Sequence, residues 1–219
     1  NEKISMDEFL KILKTNFVGA EEFRFDLLEN TPKYGNDNDY ADENEKIIFE
    51  IFYNAINGRP TTKGGKFRIN FLPTTCHVYF GSVIQALPDG RKAGEPLSEG
   101  ISPVQGVDKN GPTSVLKSAS KIDHLRTGGT LLNQKFSPDF FEDEYSIIKV
   151  SQLVRSYFRL DGHHIQFNVV SADTLRDAQK QPERYRDLIV RVAGYSDYFN
   201  DLGEDLQNEI INRTAHEEM

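Results

Sequence analysis

One cysteine serves the whole chain. Cys76 alone cannot close an internal disulfide, which fits a reducing compartment, and it cannot build an iron-sulfur cluster or a thiolate zinc site within these residues. Long apolar runs are also missing. None nears the roughly 20 residues that span a bilayer, and the opening Asn1 to Glu8 lacks the apolar core of a signal peptide. The cytoplasm is the expected location, with no membrane partner. Positive charge is scarce and scattered, with 26 basic against 34 acidic residues and a formal charge of -8, which argues against nucleic acid or an anionic lipid surface. No histidine pair has i, i+4 spacing, His163 and His164 point to opposite faces of an expected strand, and no metal site is expected. Internal repeats and low-complexity stretches are absent too.

What is present is the composition of a globular protein, 37% hydrophobic and 27% charged, in a length of 219 residues that suits one large domain or two small ones. Ser5-Met6-Asp7-Glu8 has capping-box spacing ahead of Phe9, Leu10, Ile12, Leu13 and Phe17, which predicts an amphipathic helix. A start at Asn1, so close to a helix and without an initiator methionine, points to a truncated piece. Thr31 to Asp39 is turn-rich, with Asp37 and Asp39 expected to cap the backbone, and a helix follows from about Ala41 to Asn57. Lys66 to Leu72 and Thr75 to Phe80 read as extended runs about Pro73, and Leu87 to Pro112 is dense in glycine and proline.

Thr113 to Asp123 reads as a helix. Between Glu142 and Leu160, Ile147, Ile148, Val150, Leu153, Val154, Tyr157 and Phe158 form a helical apolar face. A strand is expected at His163 to Val170, then a helix capped by Ser171, another opened by Pro182, and a last strand from Leu188 to Ala193. The alternation predicts mixed α/β.

That last strand runs into Arg191-Val192-Ala193-Gly194-Tyr195-Ser196. A lone glycine after a strand usually marks a turn. This hexapeptide and the tail after it, Asp197 to Leu202 and Leu206 to Thr214, instead resemble the radical loop and C-terminus of the glycyl radical enzymes, the pyruvate formate-lyase-like superfamily. Pro88 to Leu97, Glu99 to Pro103, Gly111-Pro112-Thr113, Gly129 to Phe136 and Gly162 to Val169 resemble the same family, so the likeness covers almost the whole chain. Only glycine suits a backbone radical, because a Cβ crowds the planar geometry in which the neighbouring amide and carbonyl delocalise the electron.

The resemblance implies a fold and a chemistry. The fold is a ten-stranded β/α barrel, of which this chain holds the C-terminal part, with residues 1–90 as barrel and 91–219 as the glycine radical domain. Gly194 is the radical site, supported by Arg191, Tyr195 and Ser196. No cofactor is bound; a separate activating enzyme using S-adenosylmethionine and an iron-sulfur cluster installs the radical, a cysteine on another loop becomes a thiyl, and the thiyl takes hydrogen from a small-molecule substrate. No Gly-Cys-Val-Glu-like thiyl loop occurs in this sequence, so the N-terminal part of the barrel is an expected partner, and the complete protein is expected to be a homodimer.

Leu72-Pro73-Thr74-Thr75-Cys76-His77-Val78 resembles a barrel-strand segment of the lyase branches, which eliminate water, carbon dioxide or sulfite from substrates such as hydroxyproline, hydroxyphenylacetate and isethionate. With Thr31 to Asp37, this stretch favours a hydroxyproline-type dehydratase over glycerol dehydratases, sulfite-lyases and arylacetate decarboxylases. Cys76 reads as a small buried strand residue ahead of any radical role, and Thr74 as a strand residue that could also hydrogen-bond a polar substrate. Two other readings stand beside this one: a replacement subunit that restores an oxygen-damaged enzyme, and part of a pyruvate formate-lyase-type acyltransferase or an arylacetate decarboxylase.

Overall fold

A computed structural model describes residues 4–72 and 75–216. Helix α1 (Met6–Lys14) starts at the Ser5 cap, where the Ser5 hydroxyl and the Glu8 carboxylate close a capping box. Helices α2 (Glu21–Asn30) and α3 (Asp39–Ile56) follow, α3 capped by Asn38. Asp37 and Asp39 do not cap the backbone as expected. They pair with lysines far along the chain, Asp37 with Lys117 at 2.9 Å and Asp39 with Lys121 at 2.8 Å.

The run Thr75 to Phe80 is helical, not extended: α4 spans Cys76–Val83. Its β-branched and aromatic residues fit a pleated strand, but propensity is a weak prior that tertiary contacts override. Here the Arg91 guanidinium decides. It is 4% exposed and donates to the carbonyls of Gly81 (2.6 Å), Gln85 (3.1 Å), Pro96 (3.3 Å) and Glu95, fixing the end of α4 against the following loop. Cys76 therefore sits at the start of a helix and is exposed, neither on a strand nor buried.

Beyond the turns of 84–110 come α5 (Gly111–Ala119), β1 (Leu132–Phe136), α6 (Glu144–Arg159), β2 (Ile165–Val169), α7 (Ala172–Lys180), β3 (Ile189–Arg191), β4 (Ser196–Tyr198), α8 (Glu204–Asn212) and β5 (Ala215–His216). Pro182 opens only a single 3-10 turn. Of the expected face of α6, Leu153 and Tyr157 are buried, while Ile147, Ile148 and Phe158 are about half exposed.

β1 is the middle strand of a parallel sheet ordered β2-β1-β5, and all five of its residues are buried. Its two faces differ because side chains alternate along a strand. Leu132 and Phe136 join one core, with Phe49, Leu116, Leu153 and Tyr157. Asn133 and Lys135 lie on the opposite face. A second core, with Leu175, Val190, Val192, Phe199 and Ile210, packs the β3–β4 hairpin against α7 and α8. Buried polar groups need partners, and Lys135 finds its own at the carbonyl end of α8: its ammonium donates to the carbonyls of Ile211 (3.0 Å), Ile210 (3.4 Å) and Arg213 (3.5 Å). A cation suits that helix end.

Candidate functional site

β3 and β4 pair antiparallel through Ile189↔Tyr198, Val190↔Asp197 and Arg191↔Ser196, which leaves Gly194 in the connecting turn. The Val192 N–H donates to the Tyr195 carbonyl at 2.9 Å. Gly194 has φ +83°, in the left-handed region that favours glycine, and a Cβ built there would meet only Leu131 Cδ1, at 3.4 Å.

Side chains rather than a continuous ladder join the hairpin to the parallel sheet. Asn168 brackets the Arg191 peptide, its Oδ1 accepting the Arg191 N–H at 2.7 Å and its Nδ2 donating to the Arg191 carbonyl at 2.7 Å. Gln166 Oε1 accepts the Arg191 Nε–H at 2.8 Å and the Gly194 N–H at 3.3 Å. The two remaining Arg191 nitrogens donate to Ser196 Oγ at 3.2 Å and to the Gly194 carbonyl at 3.3 Å. From the other side Arg213 donates to the Val192 carbonyl at 3.0 Å.

Each clamp has its own support. Gln166 Nε2 donates to Asn133 Oδ1, and Asn133 Nδ2 donates to Glu99 Oε1, which also takes the Ser102 hydroxyl at 2.8 Å. The parallel register sets Asn133 beside Gln166. Burial pushes the Glu99 carboxyl up. Arg213 is held by Glu209 through bonds of 2.8 to 3.2 Å, and Glu209 also takes Gln105 Nε2 at 2.8 Å and lies 3.5 Å from His77 Nε2. Burial alone would raise the Glu209 carboxyl; the bond from His77 and the charge of Arg213 outweigh it and hold it at about 2.

The structure thus gathers Gly194, Arg191 and Ser196 in one turn. Tyr195 lies in it too, but the residue is 42% exposed, and it ties to the turn through the main chain. Thr74 lies outside the described residues. His163 is exposed and His164 half-buried. Among the described residues no group of three or more His, Cys, Asp or Glu is placed to hold a metal ion, and no helix is long and apolar enough to cross a membrane.

Gln166, Asn168, Asn133, Glu99 and Arg213 were not singled out from the sequence. All five fall in segments that resemble the family but were given no role there, and the apolar-polar alternation of Ile165 to Val169 ordinarily means a solvent-facing polar side. Here that side faces the hairpin, and Gln166 and Asn168 are each 5% exposed.

Comparison with known proteins explains the arrangement. Residues 97–200 match the glycine radical family, and residues 1–81 the pyruvate formate lyase-like family. The chain is 55% identical to a trans-4-hydroxy-L-proline dehydratase of Clostridioides difficile over 97% of its own length and 27% of that protein's. It is 42% identical to an isethionate sulfite-lyase of Bilophila wadsworthia, covering 100% of this chain and again 27% of the relative. The crystal structure of the Clostridioides difficile hydroxyproline dehydratase superposes with a TM-score of 0.96 over 99% of this chain and 28% of that one, at 54% identity. The glycerol dehydratase of Clostridium butyricum superposes at 0.95, with 44% identity over 100% of this chain and 28% of its own. Alike in sequence and in backbone along its whole length, the chain belongs to the glycyl radical enzymes and carries the C-terminal portion of their barrel fold.

Proposed function

We propose that this chain is the radical-storing region of an anaerobic glycyl radical lyase, with Gly194 as the radical site and a hydroxyproline-type dehydration as the reaction of the complete protein. The observation that carries the reading is Gly194 itself: a glycine with left-handed φ, at the tip of a hairpin fixed by side chains on both strands, inside the matched glycine radical segment. The dehydratase assignment draws on the 55% identity to the hydroxyproline enzyme against 42% to the sulfite-lyase.

In this reading a radical S-adenosylmethionine enzyme supplies a primary carbon radical, which takes the hydrogen atom from Gly194 Cα and leaves the unpaired electron on the backbone. Gly194 then takes a hydrogen atom from a cysteine thiol outside these residues, the thiyl takes one from the substrate, water is eliminated, and the product radical recovers its hydrogen from the thiol. Residues 1–90 complete the barrel wall and 91–219 form the radical domain; Thr74 is assigned to substrate contact on the resemblance alone. The complete protein is read as a cytoplasmic homodimer without a bound cofactor.

The test is electron paramagnetic resonance on the complete enzyme, activated under anaerobic conditions. A glycyl doublet is expected in the parent and none in Gly194→Ala. A doublet that survives the substitution disproves the assignment.

A further inference from the structure

The Gly194 peptide is contacted on its two sides by groups of opposite electrical character. Its N–H points at the Gln166 oxygen, 3.3 Å away, and its carbonyl accepts from the Arg191 guanidinium, also at 3.3 Å. A radical on Cα spreads through the nitrogen lone pair, which gives electron density, and through the carbonyl, which withdraws it. An acceptor on the N–H makes the nitrogen a better donor, and a cation on the carbonyl makes it a better sink; such bonds are strongest when one partner is charged.

The Gln166 amide is not free to turn over. Glu99 Oε1 accepts both the Ser102 hydroxyl and the Asn133 amide hydrogen, which leaves Asn133 its oxygen for Gln166. Gln166 must then donate to Asn133 and present its own oxygen to Gly194 and to Arg191 Nε, which it meets at 2.8 Å. Turned over, its NH2 would face two donors. Glu99 is 3% exposed, Gln166 5% and Asn133 9%, so water does not compete for these bonds.

We propose that Gln166, oriented from Glu99 through Asn133, acts with Arg191 to polarise the Gly194 peptide and so lowers the energy of the stored radical, beyond holding the turn in place. This rests on reading Gly194 as the radical site and adds no covalent step to it. Gln166 and Arg191 act on the radical's two delocalising arms. Asn133 and Glu99 act only through Gln166 and are positioning residues.

The test uses the complete enzyme carrying this sequence, activated anaerobically, with the hyperfine splitting and the decay of the doublet as readouts. Gln166→Leu removes the acceptor; its doublet should decay about tenfold faster and show an altered splitting, a tenfold change in rate corresponding to about 1.4 kcal/mol. Gln166→Glu keeps an acceptor and should restore most of the lifetime. Glu99→Gln touches neither Gly194 nor Arg191, yet should move the splitting in the direction of the leucine variant. A leucine variant with the parent's splitting and lifetime would overturn the proposal while leaving the radical assignment intact, because that assignment is tested separately by Gly194→Ala. Should the leucine variant fail to fold, double-resonance spectra of the parent radical labelled with 15N-arginine decide. A coupling from an Arg191 nitrogen is expected, and its absence overturns the proposal.

Discussion

A Cβ added at Gly194 would meet Leu131 at an ordinary van der Waals distance, whereas one added at Gly162 would run into the Tyr157 ring. The obstacle at Gly194 is therefore its backbone angle, which costs an L-residue about 1–2 kcal/mol. Gly194→Ala should fold with only that loss, so a vanished radical signal reports chemistry. Gly162→Ala should lose about 3 kcal/mol, the upper end for overpacking, because it crowds a wholly buried tyrosine. Urea unfolding of the two variants checks the order. Glu209 gives a second prediction at this scale. Its folded pKa of about 2 lies below the unbound value of 4.5, so its contribution is complete above about pH 4.5 and is lost as pH falls toward 2. Glu209→Gln, which leaves Arg213 buried without its counter-charge, should cost about 3–5 kcal/mol at neutral pH. The gap from the parent in urea midpoint should close on acidification across that window. Of these residues, Gly194, Arg191 and Ser196 were legible because they are contiguous in a hexapeptide. Gln166 and Asn133 were not, because a polar residue in a strand reads the same whether it faces water or a second core, and neither was Glu99, because an acidic residue in a turn-rich run reads as solvated.

At the scale of elements, the sequence read correctly where caps and turns decide: Ser5 and Ser171 open their helices with bonds to Glu8 and Thr174. It misread α4, whose fate depends on an arginine eight residues beyond its last turn. Arg91→Met keeps much of the side-chain stem but leaves four carbonyls without their shared donor, which should cost about 2–4 kcal/mol. Hydrogen exchange should show faster exchange in the amides of Cys76–Val83, while those of α6 stay protected. Unchanged exchange in α4 would mean that its helix is specified locally. The apolar face read on α6 is real as a pattern, but Ile147, Ile148 and Phe158 stay about half exposed among the described residues. Periodicity reveals that a face is apolar, not what covers it.

For the whole molecule, the mixed α/β class followed from the alternation of helices with β-branched runs, whereas the strand at Leu132–Phe136 and its parallel pairing with Ile165–Val169 came only from the structure. So did the division into two cores on opposite sides of β1, because it depends on which face of one strand carries asparagine and lysine. That division also determines how the chain would behave once cut. Oxygen adds to unprotected carbon radicals, so exposure of the activated protein to air should break the backbone at Gly194. The piece from Tyr195 onward includes α8, with Ile210 and Ile211 in the second core, and β5, paired to β1 through Lys135↔Ala215 and Phe136↔His216. It is therefore stitched to the body on the far side of the break. The damaged molecule should elute as one species in native gel filtration and part into two only in denaturant, where intact-mass analysis finds a C-terminal peptide beginning at the break. Two species without denaturant would contradict the topology. A severed hairpin would thus stay in place as a silent lesion, its ends held by the strands and helix that once positioned the intact loop.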